Sequence, residues 1–256
     1  MIDPNKAIEV LTAELTSFVK NTGMTRAVVG LSGGVDSAVT LALAVRALGA
    51  EQVTAVLLPQ TGLSSDESRN LAMQLADQLD VATETVEIGA AVDALRQAMP
   101  WSFDKLRMTQ DADINIAPRL RMTALYHFAR SHDALVLGTS NRSECLLGYG
   151  TKWGDFAADV EVIGSLFKTE VYALAAALDI SQTIIDRPPT AELATGVTDE
   201  SELGASYAVL DPILQQLADD DFLPSDGMDE LTQQVYHRVI ANRHKTQPPP
   251  ILGIVA

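Results

Sequence analysis

Ala27-Val28-Val29-Gly30-Leu31-Ser32-Gly33-Gly34-Val35-Asp36-Ser37 passes from one apolar stretch through a pair of glycines into another, Ala38 to Leu48. This order reads as a buried strand, a tight turn and the entrance of a helix. Glycine lets the backbone turn sharply and approach a ligand closely, and the free N–H groups and positive dipole end of the following helix then face an anion. Ser32 and Ser37 add hydroxyl donors. Asp36 adds a carboxylate that would repel phosphate unless a cation stood between them, and magnesium suits both oxygen types. A turn that merely joins a strand to a helix is the plain alternative; two serines and an aspartate at this spacing argue against it.

The same alternation continues outward from this stretch. Ala27–Leu31, Val53–Leu58, Val81–Ile88 and Ala134–Gly138 read as buried parallel strands, with helical patterns over Ser37–Leu48, Ser64–Leu79 and Pro118–Ser131 between them. The expected fold is α/β, a doubly wound and mainly parallel sheet flanked by helices, with ligands bound beyond the carboxyl ends of the strands. Gly30 to Ser37 and Gly138-Thr139-Ser140 both lie at such ends. Met1 to Lys20 reads as an amphipathic helix and Met228 to Asn242 as a closing one. The turn-rich segment after Asp186 is a candidate cover for a ligand.

With 256 residues, 47% of them hydrophobic, the chain can bury a substantial core, and we expect a single domain over residues 1–256. The balance of 18 basic to 34 acidic residues, net charge −16, opposes nonspecific attraction to nucleic acid or an anionic membrane. A polyanionic ligand must therefore find local positive charge among few lysines: Lys6, Lys20, Lys105, Lys152, Lys168 and Lys245. Cys145 is the single cysteine, which leaves no intrachain disulfide and fits a reducing, cytoplasmic setting. No apolar run reaches the length of a membrane span.

The loop lacks the lysine of the G-x-x-x-x-G-K-S/T phosphate loop, because Val35-Asp36 stand in that region. Ser32-Gly33-Gly34-Val35-Asp36-Ser37 instead resembles the pyrophosphate loop of the N-type ATP pyrophosphatases, which split ATP between its α and β phosphates. Three further segments are more specific: Asn115 to Met122, Leu137 to Glu144, and Gly148-Tyr149-Gly150-Thr151-Lys152-Trp153-Gly154-Asp155. With Asp159, Lys168-Thr169, Pro189-Thr190-Ala191, Asp199-Glu200 and His244-Lys245 following in order, the chain resembles the NAD synthetases of the ammonia-dependent kind. The resemblance runs from Gly30 to Pro250 and is weakest between Ile88 and Asn115.

That resemblance implies a Rossmann-like fold of the adenine nucleotide alpha hydrolase type and a set of roles. Gly30, Leu31, Ser32, Gly33, Gly34, Val35, Asp36 and Ser37 would cradle ATP phosphates, with Thr139, Lys168 and Thr190 as further ATP contacts. Asp36 and Glu144 would hold magnesium. Arg119, Lys152, Asp159, His244 and Lys245 would contact deamido-NAD. The implied reaction is attack of the nicotinate carboxylate on ATP, release of pyrophosphate, then displacement of AMP by ammonia. Lys168 would stabilise the departing charge, and Asp155 is the candidate for binding and deprotonating ammonium. Free ammonia is the expected nitrogen donor, because these residues include no glutaminase domain; a homodimer is expected by analogy.

Taken singly, several of these residues have plainer readings: Glu144 as a solvated helical glutamate, His244-Lys245 as a cationic helix end, and Arg119 with Arg121 as a surface pair. Their joint order favours the functional reading. Two departures from the family pattern stand out. Pro118 occupies a position where the family usually has alanine, and no proline follows Asp159, where this chain has Glu161. The rival readings are another ATP pyrophosphatase, such as the subunit that aminates xanthosine monophosphate or a tRNA-thiolating enzyme, and a noncatalytic adenine-nucleotide binder. The single cysteine and acidic balance oppose tRNA thiolation, and the Gly148–Asp155 segment opposes the xanthosine reading. A mere nucleotide binder would leave Lys152, Asp159 and His244-Lys245 unexplained.

Overall fold

In the computed structural model, which describes residues 2–99, 110–190, 197–224 and 227–251, the apolar runs become strands. They are β1 (Arg26–Gly30), β2 (Val53–Leu57), β3 (Ala82–Thr85) and β4 (Ala134–Gly138), followed by a short β5 (Val160–Glu161). The helices are α1 (Pro4–Thr22), α2 (Val35–Leu48), α3 (Asp66–Gln78), α4 (Gly89–Ala98), α5 (Gln110–Ile114), α6 (Ile116–Ser131), α7 (Arg142–Leu147), α8 (Lys168–Ala177), α9 (Gln182–Ile185), α10 (Asp199–Leu203), α11 (Tyr207–Asp219) and α12 (Glu230–Asn242).

The strands pair in parallel in the order β3-β2-β1-β4-β5, with Val28 level with Thr54 on one side and Val136 on the other. After building outward from β1 to β3, the chain returns to β1 on its free side. The carboxyl ends of β1 and β4 therefore flank the switch point, where an open α/β sheet leaves a crevice.

Side chains on alternate positions feed two cores. Ala27, Val29, Ala55, Leu135 and Leu137 pack with residues of α1, α2, α3 and α8. Val28, Val56 and Val136 pack on the opposite face with Ala129, Leu125 and Phe128 of α6. Burial of both faces explains why these strands read as continuous apolar runs. Leu147, Tyr207, Leu210, Leu214, Val235 and Val239 form a further cluster that joins α7, α11 and α12.

Several boundaries differ from the sequence reading, for local reasons. The strand expected over Val81–Ile88 is regular only over Ala82–Thr85. Val86 and Ile88 still donate to Leu57 O and Pro59 O at 2.9 and 3.0 Å, but Pro59 has no N–H to return a bond. The first helix starts at Pro4, capped by the Asp3 carboxylate, and ends at Gly23 in the left-handed conformation. Helix α6 starts two residues before Pro118, whose missing N–H falls among the first-turn groups that have no intrahelical partner. β5, two residues long, was too short to show any periodicity.

Candidate active site

The opening stretch folds as a strand, loop and helix. Leu31 N donates to Val56 O at 2.9 Å, so the loop leaves the sheet directly from β1. Within it the two serine hydroxyls lie 3.1 Å apart, Gly34 N donates to Ser32 Oγ at 3.2 Å, and Ser37 Oγ donates to Gly34 O at 3.0 Å. Helix α2 begins after Gly34 with no side-chain cap, so its first turn offers N–H groups to a ligand. Gly33 has φ +83°, and a Cβ there would run into the backbone oxygen of Ser68 in α3. Two independent constraints thus require glycine at this position.

Lys168 begins α8 and is 2% exposed. Its ammonium meets Asp36 Oδ2 at 2.5 Å and Glu144 Oε1 at 3.1 Å. Burial works against the charged form, but Asp36 and Glu144 outweigh that and hold the group above the ordinary lysine range. For Glu144 burial pushes the carboxyl up against the opposing pull of Lys168.

The supports of this trio come from three helices. Asn141 caps α7, accepting from Glu144 N at 3.0 Å while its amide donates to Asp36 Oδ1 at 2.9 Å. Ser143 Oγ accepts from Lys168 N at 3.0 Å and donates to the buried Asp211 carboxylate at 2.6 Å. The other oxygen of Asp211 takes Thr169 N and Oγ1 at 2.9 and 2.8 Å. A misplaced helix would therefore leave buried polar groups unpaired, at about 1–3 kcal/mol each.

These groups open onto a cavity of about 570 Å³ at the carboxyl ends of the strands. Gly30, Leu31, Ser32, Gly34, Val35, Asp36 and Ser37 line it, as do Thr139, Glu144, Asp155, Lys168 and Thr190. Thr139 follows β4 directly, and Thr190 Oγ1 donates to Val197 O at 2.9 Å. Asp155 takes Thr151 N on Oδ2 at 2.8 Å, and its carbonyl accepts from Ser140 Oγ at 3.3 Å. Its surroundings desolvate the carboxyl and raise it above the usual aspartate value.

The residues expected to meet deamido-NAD divide into two groups. Arg119 Nε donates to Lys152 O at 3.2 Å, and Lys152 Nζ donates to the carbonyl of His244 at 2.7 Å, linking α6, the Gly148–Asp155 loop and the end of α12. Lys245 Nζ donates to Gly148 O at 2.8 Å and reaches the cavity wall. Asp159 instead engages β4 and α6: its carboxylate takes Val136 N at 2.8 Å and Tyr126 OH at 3.4 Å. Neither of these two bonds involves any of the other four residues.

Several residues that build the site escaped the sequence reading. Asn141 could have been found, since an asparagine three residues before Glu144 is a capping signature. Tyr149, which donates to Asp199 and Glu202, lies in the Gly148–Asp155 segment but had no role assigned, and Arg187, which donates to Gly33 O and Ser68 Oγ, gave no local signal. The donor set fits a magnesium ion as two hard carboxylates, Asp36 and Glu144, on one cavity wall. Among the described residues no cluster of three or more His, Cys, Asp or Glu is arranged for a metal. No helix among the described residues is long and apolar enough to cross a membrane.

Comparison with known proteins agrees with this geometry. The NH(3)-dependent NAD(+) synthetase of Archaeoglobus fulgidus is 38% identical over 249 residues, covering 97% of each chain. The NH3-dependent NAD synthetase of Campylobacter jejuni superposes with a TM-score of 0.81 at 33% identity, over 98% of this chain and 100% of that one. An NMN synthetase from Francisella tularensis gives a TM-score of 0.86 at 29% identity, over 99% and 100%. The sequence matches the NAD synthase family over residues 7–249, and the chain belongs to that family.

Proposed function

We propose that the protein is a C–N ligase that amidates deamido-NAD to NAD with ammonia, converting ATP to AMP and pyrophosphate. The observation that carries this is one cavity shared by the glycine loop, Lys168, Asp36, Glu144 and Asp155, in a chain that matches the family almost end to end. The nicotinate carboxylate attacks the α-phosphorus of ATP, and pyrophosphate leaves. Ammonia then attacks the acyl carbon of the adenylate and AMP leaves with the bonding electrons. The first turn of α2, the serine hydroxyls and Lys168 bind the phosphates, acting where negative charge grows.

Asp36 and Glu144 would hold magnesium, whose chemistry is to neutralise phosphate oxygens. Asp155, held above its usual range by desolvation, suits the group that takes a proton from ammonium. Arg119, Lys152 and Lys245 supply local positive charge for the dinucleotide in a chain of net charge −16, and His244 adds a ring hydrogen-bonding group beside them. We place the protein in the cytoplasm, on its single cysteine and small anionic substrates, and read it as a homodimer by analogy with the family. A mononucleotide acceptor is the second reading, favoured by the likeness to the Francisella NMN synthetase.

The test is pyrophosphate release with ATP, magnesium and ammonium, comparing deamido-NAD, nicotinic acid mononucleotide and xanthosine monophosphate. We expect turnover with deamido-NAD and at most a tenth of that kcat/KM with the other two. Preference for the mononucleotide replaces the first reading with the second, and turnover only with xanthosine monophosphate overturns both.

A further inference from the structure

Two adjacent glycines form a loop with no shape of its own, since glycine enters left- and right-handed conformations with similar ease. The shape seen here is imposed from outside. On one side the Ser68 backbone lies against Gly33. On the other, Arg187, directly before Pro188-Pro189, spans the gap: its Nη1 donates to Gly33 O at 3.2 Å and its Nη2 to Ser68 Oγ at 2.8 Å. Ser68 is 3% exposed, and Arg187 also lines the cavity that holds the loop.

We infer that Arg187 is a positioning residue that locks the glycine loop in its anion-binding shape. In a trans peptide the oxygen and the N–H point to opposite sides, so fixing Gly33 O fixes the direction of Gly34 N–H. That N–H donates to Ser32 Oγ, which meets Ser37 Oγ, which donates to Gly34 O. Arg187 thus sets the direction of both hydroxyls through one peptide plane. A planar fork suits this task, because two donors at fixed spacing can hold a carbonyl on one segment and a hydroxyl on another. Lysine carries the charge without the fork.

The inference rests on the proposed use of this loop for the ATP phosphates, so its test is a binding measurement that needs no acceptor. ATP, pyrophosphate and AMP are titrated calorimetrically into the wild type, Arg187→Met, Arg187→Lys, Ser68→Ala and the Arg187→Met/Ser68→Ala double variant. We expect Arg187→Met to weaken ATP and pyrophosphate about tenfold and AMP less than twofold, and Arg187→Lys to recover less than a third of the loss. Ser68→Ala should show a smaller loss that does not add to that of Arg187→Met, because both break one bridge.

Full recovery by lysine would show that charge alone acts. Additive losses, or equal weakening of AMP, would equally overturn the lock. Thermal melting of each variant separates loss of fold from loss of affinity, and Ser68→Ala and Arg187→Lys keep the test informative if Arg187→Met does not fold. Loss of pyrophosphate affinity in a protein that fails to amidate deamido-NAD would leave the lock standing and sink the proposed acceptor.

Discussion

Gly33 and Gly34 are indistinguishable in sequence and unequal in structure. Gly33 sits at φ +83° with the Ser68 oxygen where a Cβ would go, whereas a Cβ on Gly34 would meet only Ser32 Oγ, at 3.4 Å. Gly33→Ala should lower stability by about 2 kcal/mol or more from left-handed strain and the backbone collision. Gly34→Ala should lie within about 1 kcal/mol of wild type. Urea denaturation of the two variants checks this; equal losses would mean that the Ser68 contact does not constrain the loop. The strand, glycine turn and helix entrance of this stretch were legible from residue types alone, and so was the interest of Asp36, Glu144 and Lys168 as charged groups. What could not be read was that the ammonium lies between the two carboxylates, since that depends on α2, α7 and α8 meeting.

At the scale of elements, the missed strand contains Glu161, the residue noted in the second departure from the family pattern. β5 extends the sheet beside β4 and brings Glu161 over Gly138, where a Cβ would collide with the carboxylate. Glu161 Oε2 accepts from Ser140 N at 3.1 Å, so the carboxylate braces the turn that carries Thr139 and Asn141. Burial, opposed by that N–H and reinforced by Asp155, raises Glu161 from its ordinary 4.5 to about 7.

The folded chain therefore keeps this proton between pH 4.5 and 7, where the unfolded chain has lost it. Stability from this group falls as pH rises through the window and is level above it. Glu161→Gln keeps the acceptor and removes the titration. We expect the variant to gain on the wild type by on the order of 2 kcal/mol from pH 4.5 to 7.5, read from paired urea midpoints. A difference that stays constant with pH would show that Glu161 is ionised throughout. The long elements were legible because α2, α3 and α6 carry many turns of pattern; β5 offers two residues, and the reach of β3 was decided by a proline just past the end of a neighbouring strand.

For the whole molecule, the excess of acidic residues turns a small cationic group into a distinctive feature. Arg119, Lys152 and the end of α12 are far apart in the chain and are joined by hydrogen bonds through carbonyls, which leaves their charges available to an anion. The homodimer proposed by analogy predicts a solution mass near twice the chain's 27.4 kDa, measured by sedimentation equilibrium at micromolar concentration. A species of single-chain mass that still turns over would remove the dimer from the proposal.

The sequence by itself determined the alternation of strands and helices, the glycine loop at the end of β1 and the family, because these reside in local periodicity and in residue order. Only the tertiary structure decided that β4 returns beside β1, that Asp159 braces β4 while Lys245 reaches the cavity, and that Arg187 and Ser68 hold Gly33. The physical reason is range: dihedral preference and apolar spacing act over a few residues, whereas a hydrogen bond between residues more than a hundred positions apart exists only once the sheet has brought them together.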